Sequence, residues 1–286
     1  MGILSPLMNT IRYDVQIKIQ PWFRDHSFDG RPVLPAVESL LVLAGVAREL
    51  RSDLNVREIA DAGFPRFLEI PARGDQVEAV VELQEQENGT IRAGLCTRSR
   101  TGRFSRLVEH AAVCFGVKGR ICRGEVCGKF SSYEQPFVVS GKRIYEELVP
   151  FDRAYRNTIE ADIFSRGATA KIYTPEYSPE SGVADLGSPF LLDSAFHVAC
   201  AWGQRFAGFV PFPVGFKYRR IATSSQPGRN YRAEVEVIVG QGKELEFDID
   251  LVDAAGGLVE QVRGVRMRDV SGGRIKPPDW IQKKVM

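Results

Sequence analysis

Histidine is scarce in this chain: His26, His110 and His197 are the only three in 286 residues. Cysteine pairs are missing too. No C-x-x-C spacing occurs among Cys96, Cys114, Cys122, Cys127 and Cys200, so no zinc pattern is present, and five thiols cannot all pair. Cys122 and Cys127 are near enough in sequence to bridge, but reduced thiols are the expectation. There is no excess of charge, because 38 basic residues face 36 acidic ones. A net charge of +2 excludes the basic footprint of a nucleic-acid binder. No apolar run is long enough to span a membrane. The N-terminus is short, uncharged and broken by Pro6, unlike a signal peptide, and Pro6 also spoils a myristoylation pattern. A cytoplasmic protein is expected.

What is present is ordinary globular composition, 44% apolar and 26% charged, enough for one large domain or two small ones. Ile11, Tyr13, Val15, Ile17 and Ile19 alternate with polar residues, the period of a half-buried strand. Pro35 suits the first turn of a helix that is apolar nearly all round through Leu50, which predicts a buried central helix. Strands are predicted at Val77–Gln84, Ile91–Thr97 and Leu107–Val117, with an Asn88-Gly89 turn between the first two. The second half repeats the plan. A strand at Thr169–Thr174 precedes an apolar helix from Pro189 to about Phe206. Alternating segments follow at Tyr231–Val237, Leu245–Leu251 and Leu258–Arg268. The expected class is α+β, with two antiparallel sheets each wrapped around a central apolar helix, a double hot-dog. Its halves would span residues 1–118 and 141–286, with 119–140 as a linker.

Two motifs carry the chemistry. His26-Ser27-Phe28-Asp29-Gly30-Arg31-Pro32-Val33-Leu34-Pro35 places a histidine in a turn just ahead of the first apolar helix. A loop histidine is ordinarily solvated, Gly30 can simply close a turn, and Pro35 can simply open a helix. The three together are less generic. On the second helix, Asp193 lies among Phe190, Leu191, Leu192, Ala195 and Phe196. A carboxyl group there needs partners or a raised pKa, and one kept protonated can act as a general acid. The plain alternative is a helix-start aspartate facing the dipole. His197 lies one turn on, on the same face, where it could orient Asp193, contact substrate, or be a satisfied core histidine.

His26-x-x-x-Gly30-x-x-x-x-Pro35 and Asp193-x-x-x-His197 resemble the paired signatures of polyketide synthase dehydratase domains, over roughly Ile11 to Val270. Phe209-Val210-Pro211-Phe212 resembles that family's LPF-like segment. The resemblance implies a double hot-dog acting as a hydro-lyase. It would remove water from a 3-hydroxyacyl thioester to give a 2-enoyl thioester. His26 would be the general base and Asp193 the general acid, with Gly30, Pro35, Tyr155, His197 and Pro211 around the substrate. It implies no metal and no diffusible cofactor, since the substrate rides on the phosphopantetheine of an acyl carrier protein. The chain reads as a free-standing domain serving a polyketide or fatty acid synthase in trans, as a monomer or a homodimer. A product-template-like aldol cyclase, a double-bond isomerase and a non-catalytic binder of acyl chains or carrier protein are the alternatives. One departure stands out: the family's Y-G-P-x-F segment is here Phe151-Asp152-Arg153-Ala154-Tyr155. Asp152 and Arg153 are expected to pair outside the cleft, with Tyr155 bordering the substrate.

Overall fold

Strand β1 (Thr10–Lys18) forms where apolar and polar residues alternate, and Ile17 and Ile19 reach the core. A 3-10 turn (Pro21–Asp25) and a hairpin of β2 (Ser27–Phe28) and β3 (Arg31–Pro32) lead into helix α1 (Ala36–Leu50). Strands β4 (Glu58–Gly63), β5 (Gln76–Glu85), β6 (Ile91–Thr101) and β7 (Phe104–Phe115) complete the first half. The second half opens with β8 (Phe137–Ser140) and a short helix α2 (Gly141–Arg143) that runs on as a π-turn to Leu148. Then come β9 (Thr158–Phe164), β10 (Gly167–Tyr173), helix α3 (Pro189–Phe206), β11 (Phe212–Ile221), β12 (Asn230–Val239), β13 (Glu244–Asp253) and β14 (Leu258–Arg268). This computed structural model describes residues 10–101, 104–116, 134–176 and 184–282. The N-terminal segment with Pro6, Cys122, Cys127 and residues 119–133 of the expected linker lie outside the described residues.

All the strands except β2 and β3 join one antiparallel sheet in the order β1-β5-β6-β7-β4-β11-β14-β13-β12-β10-β9-β8. Read inward from the two ends, β1-β5-β6-β7-β4 and β10-β12-β13-β14-β11 have the same winding: one strand, a helix, then four strands. The repeat seen in the sequence is therefore a repeat of topology. The two expected sheets are fused edge to edge, with Gly215 opposite Gly63 and Phe216 opposite Ala62 across β11 and β4. That seam is tight. A Cβ added to Gly215 would lie 2.2 Å from the Ala62 carbonyl oxygen, so only glycine fits. Of the residues expected as a linker, Phe137–Ser140 pairs with β9 as an edge strand.

Both long helices are buried, as an apolar surface all round requires. Leu40, Leu43, Ala44 and Ala47 of α1 are fully enclosed, and α3 is buried from Pro189 to Gln204. The helices touch each other beneath the fused sheet, which brings the first half's loops against the second half's helix. A charged pair lies inside, next to α3. Arg219 of β11 donates to Glu260 of β14 at 2.7 and 3.0 Å and to the Leu186 carbonyl at 3.3 Å, just ahead of α3.

Candidate active site

The His26 loop is fixed by its own backbone. The His26 N–H donates to the Phe23 carbonyl, and the His26 carbonyl accepts the Val33 N–H at 2.9 Å. The β2–β3 turn bends through Asp29 (φ 52°) and Gly30 (φ 73°), a left-handed pair that glycine makes cheap. Pro35 caps α1, its carbonyl accepting the N–H groups of Glu38 and Ser39. The spacing of His26, Gly30 and Pro35 thus encodes a turn and a helix start that aim one imidazole inward.

That imidazole meets α3. His26 Nε2 lies 3.9 Å from Asp193 Oδ1, and the two side chains are 13% and 6% exposed. On the other side of the carboxyl group, His197 Nε2 lies 2.9 Å from Asp193 Oδ2. The two atoms are close but poorly aligned for a hydrogen bond, so this is a short polar contact rather than a well-formed one. Phe151 packs on the His26 ring with centroids 4.1 Å apart, and its centroid is 5.0 Å from that of His197. Tyr155 meets His26 edge-on at 5.1 Å. Asp25, next to His26, ties this segment down. Its carbonyl accepts the Asp152 N–H at 2.8 Å, and its carboxylate accepts the Ala154 N–H at 2.9 Å.

A cavity of about 380 Å³ opens over the pair. His26, Asp193, His197 and Phe151 line one region, with Val149, Cys200 and Met267 beside them. Phe28, Phe67 and Phe212 form an aromatic wall, in which Phe28 stacks on Phe67 at 4.6 Å. Pro211 is part of the lining. Gly30, Pro35 and Tyr155, expected around the substrate, are not among the residues that line it. Gly30 is exposed at the hairpin tip, Pro35 is spent on capping α1, and Tyr155 backs the His26 ring from within the core. Asp152 and Arg153 face solvent. Asp152 Oδ1 pairs loosely with Arg156 Nη2 at 3.7 Å, so the altered segment puts no charge in the cleft.

Burial pulls the His26 pKa down to about 4, against the pull of Asp193, so the ring is a neutral base at rest. The Val33 backbone also touches the ring, and Nε2 is the nitrogen that faces Asp193 at the cavity wall, 3.9 Å away. Asp193 behaves differently from what its apolar neighbours suggest. Burial pushes it up, but His197 and His26 together outweigh burial and bring it below the usual carboxylate value. The resting state is therefore neutral His26 beside ionised Asp193.

Two residues at the site escaped the sequence reading. Glu38 of α1 is buried, accepts the Trp22 indole N–H at 3.1 Å, and is raised to about 7 by burial, with the Asp193 charge adding to the effect. A glutamate inside an apolar helix was its only signal. His110 lines the cavity, its Nδ1–H donating to the Phe67 carbonyl at 2.9 Å and its Nε2 accepting from Thr97 Oγ1 at 2.8 Å. It pins the segment that carries the aromatic wall. Among the described residues no group of three or more His, Cys, Asp and Glu is placed to hold a metal ion. None of the described helices is long and apolar enough to cross a membrane.

Residues 153–275 match the family model described as the polyketide synthase dehydratase N-terminal domain; in this chain they fall in the second half. No curated protein matches. Solved structures do. The dehydratase domain of a mycocerosic acid synthase-like polyketide synthase superposes with a TM-score of 0.70 at 19% identity, covering 94% of each chain. The dehydratase domain from the CurJ module of curacin polyketide synthase gives 0.71 at 20%, covering 93% of each. A bifunctional dehydratase-cyclase domain of ambruticin biosynthesis gives 0.66 at 20%, covering 92% of this chain and 93% of that one. At such identities these likenesses speak for the fold.

Proposed function

We propose, from the family-model match over residues 153–275 and the shared double hot-dog fold, that this chain is a polyketide synthase dehydratase with a specific reaction. It removes water from a 3-hydroxyacyl thioester carried on the phosphopantetheine of an acyl carrier protein. The observation that carries this reading is the neutral imidazole of His26 set 3.9 Å from the Asp193 carboxylate at the wall of a largely apolar cavity.

The proton next to a thioester carbonyl is weakly acidic, so it needs a positioned base, and the neutral imidazole of His26 lines the cavity. As C2–H breaks, charge moves to the thioester oxygen. Ala36 lines the cavity, and the N–H groups of Ala36 and Val37, which precede those that the Pro35 carbonyl accepts, suit that oxygen. The C2=C3 double bond forms as the C3–O bond breaks, and hydroxide would be a poor leaving group. Asp193 is ionised at rest, so the proton it gives to the hydroxyl is the one His26 has just taken, passed across the short gap. Water departs with that proton, and both side chains return to their starting charge. No net proton is drawn from solvent. The aromatic and aliphatic lining suits a plain acyl chain.

Incubation with 3-hydroxyacyl carrier proteins and intact mass analysis tests the reading. Loss of one water mass from the acyl chain is expected. An unchanged mass across chain lengths would overturn it, and ring closure of a diketide or longer substrate would place the chain with the dehydratase-cyclase domain instead.

The charge state at rest has its own test. With three histidines, the His26 ring can be titrated by NMR, and its inflection is expected near pH 4 rather than 6.5. The unfolded chain holds this proton more tightly than the folded one. Stability from His26 is therefore complete above pH 6.5 and is lost as pH falls toward 4, by roughly 3 kcal/mol. An inflection near 6.5 would mean that the base is half-charged at neutral pH.

A further inference from the structure

The reaction scheme above makes no use of Tyr145, although its hydroxyl touches His197. Tyr145 sits in the π-turn Ile144–Leu148, where the Val149 N–H reaches back to the Ile144 carbonyl at 2.8 Å. Such widened turns recur at functional sites. The side chain is buried. Its oxygen accepts two backbone N–H groups, from Asn157 at 3.1 Å and Thr158 at 2.9 Å. A backbone N–H can only donate, so both lone pairs of the phenol oxygen are taken. The one hydrogen left on the hydroxyl needs an acceptor, and His197 Nδ1 lies 3.3 Å away.

The direction of each bond is therefore fixed, from amide to phenol to imidazole. An Nδ1 that accepts is unprotonated, so the proton of neutral His197 sits on Nε2, the atom 2.9 Å from Asp193 Oδ2. The other tautomer fails at both ends. Nδ1–H would face a hydroxyl oxygen already saturated, and a bare Nε2 would face a carboxylate. Burial, opposed in part by the Thr158 side chain and the backbone N–H bonds, pushes the Tyr145 phenol up to about 12, so it keeps its hydrogen at any working pH; Thr158 Oγ1 is near but makes no well-aligned bond to it.

We propose that Tyr145 is a positioning residue for the dehydration: it fixes His197 as the Nε2–H tautomer and thereby holds Asp193 turned to receive the proton from His26. The role in turnover rests on the dehydratase reading; the tautomer does not.

Two measurements on the full chain separate these claims. In 15N-histidine-labelled protein, His197 Nδ1 is expected to resonate as an unprotonated nitrogen, and Tyr145→Phe should move it toward the average of the two tautomers. Turnover of Tyr145→Phe should fall about 10- to 100-fold, with KM within about threefold, as for loss of an outer partner that orients a working group. A glutamine at 197 has an amide donor and no tautomer to choose. In a His197→Gln background, Tyr145→Phe should therefore cost less than about threefold, whereas a merely structural tyrosine would cost the same in both backgrounds. A wild-type His197 protonated at Nδ1, an unmoved spectrum in Tyr145→Phe, or an undiminished loss in the glutamine background overturns the proposal. Should Tyr145→Phe not fold, the wild-type spectrum decides. If wild-type protein dehydrates nothing, the dehydratase reading falls while the spectra still decide the tautomer.

Discussion

His26→Ala and Asp193→Asn each lower turnover of a 3-hydroxyacyl carrier-protein substrate by about two to four orders of magnitude, the span of general acid–base groups. The reason lies in the single proton that the pair handles. Without the imidazole nothing takes it from C2; with asparagine at 193 nothing holds it on the way to the hydroxyl. The double variant should be little worse than either single one, because the two side chains act as a unit. Neither change should unfold the protein. His26→Ala removes a ring from a cavity wall, and Asp193→Asn removes a buried charge while leaving an oxygen for His197 to face. Intact mass analysis against time gives the rates. Undiminished dehydration by His26→Ala would remove the mechanism while leaving the fold untouched.

Glu260→Ala lowers stability by about 3–5 kcal/mol, the usual result of stripping one partner from a buried ion pair. Arg219 and Glu260 are each 3% exposed, so the stranded guanidinium finds no water. The effect should reach beyond the pair. Arg219 stands opposite Ile59 across the seam and also holds the Leu186 carbonyl ahead of α3. Replacing both residues, as Arg219→Met with Glu260→Leu, should cost much less than Glu260→Ala alone, because no charge is then left unpaired. Denaturant titration of the three proteins checks this. A loss below about 1 kcal/mol in Glu260→Ala would mean that the arginine reaches solvent after all.

Much of this architecture was written in local pattern. Alternation marked β1, β12 and β13, and prolines 35 and 189 marked the starts of both buried helices. His26 and Asp193 stood out because a scarce residue and a charged one broke otherwise apolar or structural motifs. The seam was not legible. β4 reads Glu-Ile-Ala-Asp-Ala-Gly, small residues chosen for close approach to β11, and small residues carry no strand period. β8 escaped because its apolar run, Phe137-Val138-Val139, is too short to show one. Gly30, Pro35 and Tyr155 were expected around the substrate by analogy; in the fold they also shape and support the His26 loop. The charge of Asp193 was left open between partners and a raised pKa. Its sequence neighbours speak for burial alone, whereas the approach of His26 across the fold, on top of His197, decides the outcome. Tyr145 and Glu38 matter only through contacts that no spacing encodes.

The mirrored winding of the two halves also bears on how many reaction centres a chain can hold. Two identical halves meeting about a twofold axis would present two equivalent clefts, each requiring both a base and a carboxylate from the same repeated sequence. Fusion releases that constraint. Counted from the prolines that open the helices, Ser39 stands four residues after Pro35 as Asp193 stands four after Pro189. The position that bears the carboxyl group on α3 is thus a hydroxyl on α1, where it lines the same cavity. The halves have divided the labour, one keeping the imidazole and the other the carboxylate, so the doubled scaffold supports a stoichiometry of one imidazole–carboxylate pair per chain.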